Sequence, residues 1–268
     1  MSRAERTVVR FALPSTLGPI ARELASQLQT HLASALGRET EVVVGATYEQ
    51  LARELLSGKA DAAWAPSFVC ARIEAMGVRV LVRGVRQGVS TYRAALLTRA
   101  NEALTLKDLQ GKTAAWTDRD SVGGYLLPMA WLKEQGVDAG KTFAAQNFYA
   151  TYRHALEAVA EGKADVTSIF ASSAKSGQPD SLGIEEVWAG KAGEFRVLGF
   201  TDEAPNDGVA VSMNAPPQVV LDLEKSLLSL HQTEAGRALL KDCFHADRFE
   251  LAPRMGYRAL YRVALASL

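Results

Sequence analysis

The chain has 268 residues, 48% hydrophobic and 22% charged, which is enough material for one large domain or two modest lobes with real cores. Thirty basic and thirty acidic side chains cancel, leaving no global field to hold the chain on nucleic acid or an anionic membrane surface. No apolar run approaches the roughly 20 residues of a membrane helix, and Cys70 and Cys243 lie outside any Cys-x-x-Cys spacing, so membrane insertion and a disulfide framework are not expected.

Arg3, Glu5, Arg6 and Arg10 interrupt the start of the chain, leaving no room for the roughly 7–15 apolar residues of a secretory signal. The expected location is therefore cytoplasmic, and periplasmic only if the native chain is longer. Residues 8–13 (VVRFAL) read as a first strand, followed by a turn over Pro14–Gly18 in which Thr16 is a candidate ligand contact. Pro19 suits a helix start, and Ile20, Leu24, Leu28, Leu32 and Leu36 recur every fourth residue up to Gly37, giving a helix with one buried face. A strand at 42–44 follows. Strand–helix alternation then continues, which points to an α/β architecture with parallel pairing.

An internal echo is the most informative feature. ATYEQLARELLSGKADAAWA at 46–65 matches ATYRHALEAVAEGKADVTSIF from Ala150 at a constant offset of 104 residues. Each copy has a capping Thr (Thr47, Thr151), an amphipathic helix, a Gly stop (Gly58, Gly162) and an Ala-Asp pair leading into a strand. Two copies are too few for a solenoid, and two similarly built lobes fit better. TYRAALLTR at 91–99 reads as a strand leaving the first lobe, and TDEAPNDGVAVSM at 201–213 as the return. This assigns residues 1–92 with 205–268 to lobe one and 93–204 to lobe two, with the hinge near 91–99 and 201–208. Helices at about 216–231 and 233–243, and a last helix carrying Met255, Leu260, Val263 and Leu268, are expected to pack on lobe one.

No HExxH, GxGxxG or GxSxG motif occurs, and GKT at 111–113 lacks the leading Gly of a phosphate loop, so it reads as a turn into the strand TAAWT. His31, His154, His231 and His245 fall in expected helices without metal-ligand spacing. No catalytic residue, metal or cofactor is therefore assigned. In TDRDSVGGYLLPMAWLKEQG at 117–136 a strand feeds a Gly-containing turn that opens a helix. There the backbone N–H groups of Val122, Gly123 and Gly124, with the Ser121 hydroxyl, form an anion site; the alternative is that Asp120 or Ser121 simply caps the helix. Helix starts at Tyr48, at Ser67 and Phe68, and at Thr151 and Tyr152 fall at strand carboxyl ends, where α/β sheets bind ligands. Trp64, Phe68, Tyr92, Tyr125 and Tyr152 at these turns make the expected pocket aromatic.

Together GKADAAWAPSFV, STYRAALLTR with LTLKDLQGKTAAW, DSVGGYLLPMAWLKEQG, HALEAVAEGKADV, and APNDGVAV with TEAGRALLKDCF resemble the substrate-binding proteins of phosphate/phosphite/phosphonate ABC importers. The resemblance spans nearly the whole chain. It implies a two-lobed type II periplasmic-binding-protein fold, with a central mixed sheet in each lobe, a two-strand hinge and a ligand in the cleft between lobes. It also implies that Tyr92 and Asp207 stand at positions the family uses. The family's Ser-Thr-Ser-Gly turn corresponds to Ser121, Val122, Gly123 and Gly124, two hydroxyls short. A family histidine is replaced by Tyr152, and a family tyrosine by Phe68 or Val69. Losing such hydrogen bonds costs roughly 1.5–3 kcal/mol each, and Asp118 and Asp120 disfavour a dianion unless Arg93, Arg119 or Arg153 offsets them. The expectation is a small anionic or carboxylate-bearing ligand held by a cytoplasmic sensor or carrier, with a regulatory or transporter protein as partner. The alternative is an enzyme on the same fold, similar to chorismate dehydratase of menaquinone biosynthesis.

Overall fold

The computed structural model describes residues 8–14, 21–45, 47–119, 121–172 and 181–261. Thr16, Pro19, Ile20, Asp120, Val263 and Leu268 lie outside these. The fold is mixed α/β and two-lobed, and the chain divides into two compact units, Met1–Ser90 with Pro205–Leu268, and Thr91–Ala204.

Unit 1 opens with β1 (Val8–Leu13), α1 (Ala21–Leu36), β2 (Glu39–Val44), α2 (Tyr48–Ser57), β3 (Ala62–Ala65), α3 (Ser67–Ala75) and β4 (Arg79–Val85). The every-fourth-residue stripe of α1 does what its spacing requires: Leu24, Leu28, Leu32 and Leu36 are all buried. Unit 2 contains β5 (Thr91–Arg99), β6 (Thr113–Trp116), a π-helical turn at Val122–Leu126 continuing into α4 (Leu127–Glu134), α5 (Ala139–Thr142), β7 (Ala145–Phe148), α6 (Tyr152–Ala160), β8 (Val166–Ser172), β9 (Ser181–Leu182), α7 (Ile184–Val187) and β10 (Phe195–Phe200). After β11 (Ala204–Pro205) the chain completes unit 1 with β12 (Gly208–Val211), α8 (Pro217–Ser229), α9 (Glu234–Phe244) and β13 (Arg248–Leu251).

The sheet of unit 1 runs β13-β4-β12-β3-β1-β2, and that of unit 2 runs β10-β5-β8-β6-β7 with β9 on β8. The echo in the sequence reappears as topology. β1 pairs in parallel with β2 and β3, and β12 lies antiparallel to β3; β6 pairs in parallel with β7 and β8, and β5 lies antiparallel to β8. Both faces of these sheets are covered, so β3 (AAWA) and β12 (GVAV) are buried at every residue. In β5 the two-residue period sends Ala95 and Leu97 into one cluster with Leu156 and Ile169, while Leu96 joins Trp116, Leu132 and Val166 in another.

Local chemistry sets the duplicated helices. The Thr47 hydroxyl accepts from Gln50 N at 3.1 Å, and the Thr151 hydroxyl from His154 N at 3.2 Å. Gly58 ends α2 in the left-handed conformation (φ 72°). α6 instead ends on Glu161, and the left-handed residue, Gly162 (φ 76°), comes one position later. The paired aspartates each lock a parallel strand of their unit, β1 for Asp61 and β6 for Asp165. Asp61 N donates to Arg10 O while its Oδ2 accepts from Arg10 N at 2.9 Å, and Asp165 does the same to Thr113, with Oδ2 accepting at 2.8 Å.

One expectation is corrected, for the histidines, and one falls mostly outside the described residues: of the expected last helix only the start is described, a 3-10 turn at Arg258–Leu260 with Tyr261 helical after it, Leu260 buried and Met255 exposed. Pro253 and the left-handed Met255 (φ 54°) keep the stretch before that turn out of a helix. Of the histidines, His31 and His154 are helical in α1 and α6, whereas His231 lies in a 3-10 turn and His245 caps α9 in the left-handed conformation (φ 47°).

Candidate functional site

In unit 2, β6 ends on Trp116, which is fully buried, donates from Nε1 to Gln146 at 2.9 Å and meets Tyr125 and Phe143 edge to face. Tyr125 also packs on Phe148, so its ring is a packing group as well as a turn residue. Ser121 caps the following helix: its hydroxyl accepts from Gly124 N at 3.1 Å. The expectation that all three N–H groups of Val122, Gly123 and Gly124 point outward is therefore corrected for Gly124. Val122 and Gly123 occupy the first turn, whose N–H groups have no carbonyl within the helix to donate to. Tyr125 N and Leu126 N both donate to Ser121 O at 3.0 Å, which widens the turn into its π form.

The glycine pair is there because its neighbours come close. A Cβ on Gly124 would lie 1.9 Å from Thr117 Oγ1 and 2.7 Å from Ser121 Oγ. One on Gly123 would lie 2.8 Å from the Tyr152 hydroxyl, 3.5 Å from Cε2 of Tyr92 and 3.7 Å from Cβ of Phe170. Tyr152 is the first residue of α6, placed by the Thr151 cap, and its ring meets Phe170 edge to face at 5.4 Å. Tyr92, Ser121, Gly123, Gly124 and Tyr152 are thus brought together around one helix start. Thr117 joins them unforeseen. Its place directly after β6, at a strand carboxyl end, was the available signal. The arginines considered as counter-charges are stacked on rings: Arg93 over Phe200 at 4.1 Å, Arg119 over Phe148 at 4.6 Å, and Arg153 over Trp188 at 4.5 Å. Arg153 also pairs with Glu157.

In unit 1 the candidates fall in two places. Ser67 opens α3 and is fully buried; its N–H donates to Asp207 Oδ1 at 3.0 Å, while Asp207 Oδ2 accepts from Arg86 at 2.7 Å. Asp207 thus satisfies a helix start within its own unit, and Arg86 balances its charge. The turn before it is held by Asn206, whose amide donates to Gly84 O and Val89 O and whose carbonyl accepts from the Tyr257 hydroxyl at 2.7 Å. Trp64, expected at a pocket, is only 4% exposed and packs edge to face on Phe244 and Phe249 in the unit 1 core. Its position on a strand covered on both faces leaves the indole no open side. Phe68 is buried on α3, and Tyr48, the first residue of α2, is half-buried. Among the described residues no cluster of His, Cys, Asp or Glu is arranged to hold a metal ion, and no helix is long and apolar enough to cross a membrane.

Residues 12–257 match the family described as "ABC transporter, phosphonate, periplasmic substrate-binding protein". Among solved structures, a Xanthomonas citri protein bound to chloride ion superposes with a TM-score of 0.78 at 19% identity, covering 97% of each chain. A structure of the same protein bound to ATP gives a TM-score of 0.76 at 18% identity, covering 97% of this chain and 96% of that one. PhnD1 from Prochlorococcus marinus in complex with methylphosphonate gives a TM-score of 0.70 at 15% identity, covering 97% of this chain and 98% of the other.

Proposed function

The chain belongs to the phosphonate substrate-binding family of ABC transporters, and from that membership we propose that it binds a small anionic ligand at the unit 2 turn of Ser121, Val122, Gly123 and Gly124, together with Tyr92 and Tyr152. The observation that carries the reading is the approach of the Tyr152 hydroxyl and the Tyr92 ring to Gly123, at a helix start that follows a strand carboxyl end. Proteins of the same fold are described with chloride, ATP and methylphosphonate, all anions, which supports the class of ligand. The chemistry available at the turn is hydrogen bonding by amides and hydroxyls, which is suited to holding an anion and releasing it unchanged.

The finer reading is a sensor or carrier, in which a regulatory or transporter protein reads the ligand-bound state. The cytoplasmic location expected above belongs to this proposal, and fractionation of the native host tests it, since a periplasmic pool would assign the protein to import instead.

A thermal-shift panel of phosphate, phosphonates, carboxylates and chorismate, followed by calorimetry and product analysis, tests the function. A ligand at about 100 times its Kd should add about 2.7 kcal/mol of stability. We expect a hit to be recovered unchanged and to lose its shift in Ser121→Ala and in Tyr152→Phe. Consumption of the hit would replace binding with catalysis, and a panel without hits would remove the anion reading.

A further inference from the structure

Thr117 stands directly after β6, and its hydroxyl is buried with nothing to bond. The residue is 4% exposed, and among the described residues Oγ1 has no hydrogen-bond partner. Its backbone is engaged on the side of α6, where Thr117 O accepts from Ala150 N at 2.8 Å. A buried hydroxyl without a partner lowers stability, a cost that valine, with the same shape and no hydroxyl, would not carry. Thr167 Oγ1 is also buried without a partner among the described residues, but it lies inside β8, between Ala115 of β6 and Leu97 of β5.

The place of Thr117 is different. Its Oγ1 lies 1.9 Å, and Ser121 Oγ 2.7 Å, from one point, the position that a Cβ on Gly124 would take. Ser121 Oγ already accepts from Gly124 N at 3.1 Å. A serine hydroxyl has two acceptor positions and one proton. A second bond accepted from Thr117 would fill both acceptor positions, so that the serine could act toward a ligand only as a donor. Its proton would then go to an acceptor at the helix start, and a chain of two hydroxyls polarises that bond further.

We propose that Thr117 is a positioning residue for Ser121. When an anion occupies the turn, the Thr117 hydroxyl donates to Ser121 Oγ and Ser121 donates to the anion, which gives the buried hydroxyl its partner. The inference rests on the ligand site proposed above.

Calorimetry of the full chain with methylphosphonate and with inorganic phosphate tests it, beside the melting temperature of each variant without ligand. Thr117→Val keeps the shape and removes the hydroxyl; it should weaken binding about tenfold, the size of one hydrogen bond's contribution, and leave the melting temperature equal or higher. Thr117→Ser restores the hydroxyl and drops the methyl; it should recover the affinity while melting lower. Affinity then follows the hydroxyl and stability the methyl, a split that a purely structural threonine would not give. Thr167→Val should leave affinity unchanged. At probe concentrations high enough to read weak binding, adding Thr117→Val to Ser121→Ala should cost nothing further, because the two hydroxyls act as one unit. Undiminished binding by Thr117→Val, lost affinity in Thr117→Ser, an equal loss in Thr167→Val, or a further loss in the Ser121→Ala background would overturn the positioning role while leaving the anion site standing. Binding of neither probe by the unaltered chain would also overturn it, and the wider anion panel then decides the site separately.

Discussion

Asp61 and Asp165 show how single residues repeat a physical task. Each carboxylate accepts from the N–H of a strand residue, Arg10 in β1 or Thr113 in β6, while its own N–H donates back. Asp61 is 2% exposed, whereas the Asp165 side chain is 26% exposed and also lies within 4 Å of Arg99 and Lys112. Asp61→Ala should therefore lower stability by about 1–3 kcal/mol in urea denaturation, and Asp165→Ala by less. The buried thiols set an alkaline limit. Burial pushes the Cys243 thiol up to about 12 and raises Cys70 well above the ordinary thiol range. Both folded values exceed the unfolded value of about 8.5, so this contribution is whole below that pH and is lost as pH rises from there toward the folded values. The melting temperature should fall through that window, and Cys243→Ala should flatten the slope. At this scale the sequence was informative about type and less so about use. The sequence offered Asp207 as a candidate contact, and only contacts distant in sequence reveal that it holds Ser67 N and Arg86. Trp64 sits beside a turn in the sequence, and its burial depends on Phe244 and Phe249, some 180 residues later.

Among the elements, helix caps are the most local features and were the most readable. Thr47 and Thr151 each satisfy one amide of a first turn, so Thr47→Ala and Thr151→Ala should each cost about 1 kcal/mol in denaturant titrations. Thr151→Ala should also weaken ligand binding, because that cap orients the start of α6, where Tyr152 stands. The strand at 91–99 matches its structural bounds, since its turns and alternation are encoded within it. The π-helical turn at Val122–Leu126 was not legible: glycines at 123 and 124 read as a flexible turn, and what calls for them is the approach of Thr117 and Tyr152. Pro253 and the left-handed Met255 keep the stretch between β13 and the 3-10 turn at Arg258–Leu260 out of a helix.

For the whole molecule, the two units have separate cores. Unit 2 is one continuous stretch, Thr91–Ala204, with its own sheet and clusters, whereas unit 1 needs both ends of the chain. Residues 91–204 produced alone should therefore unfold cooperatively by circular dichroism, and residues 1–90 alone should not, because β12 and β13 complete that sheet. The internal echo, the strand–helix alternation and the family resemblance were all determined by the sequence itself, because periodicity, caps and turn residues act within a few positions of one another. Only the tertiary structure decided which polar groups face one another: the Thr117, Ser121 and Tyr152 hydroxyls around two glycines, and the Asp207 carboxylate on a helix start 140 residues earlier. Those contacts depend on the close packing of segments far apart in the chain, and no local pattern encodes an approach of that kind.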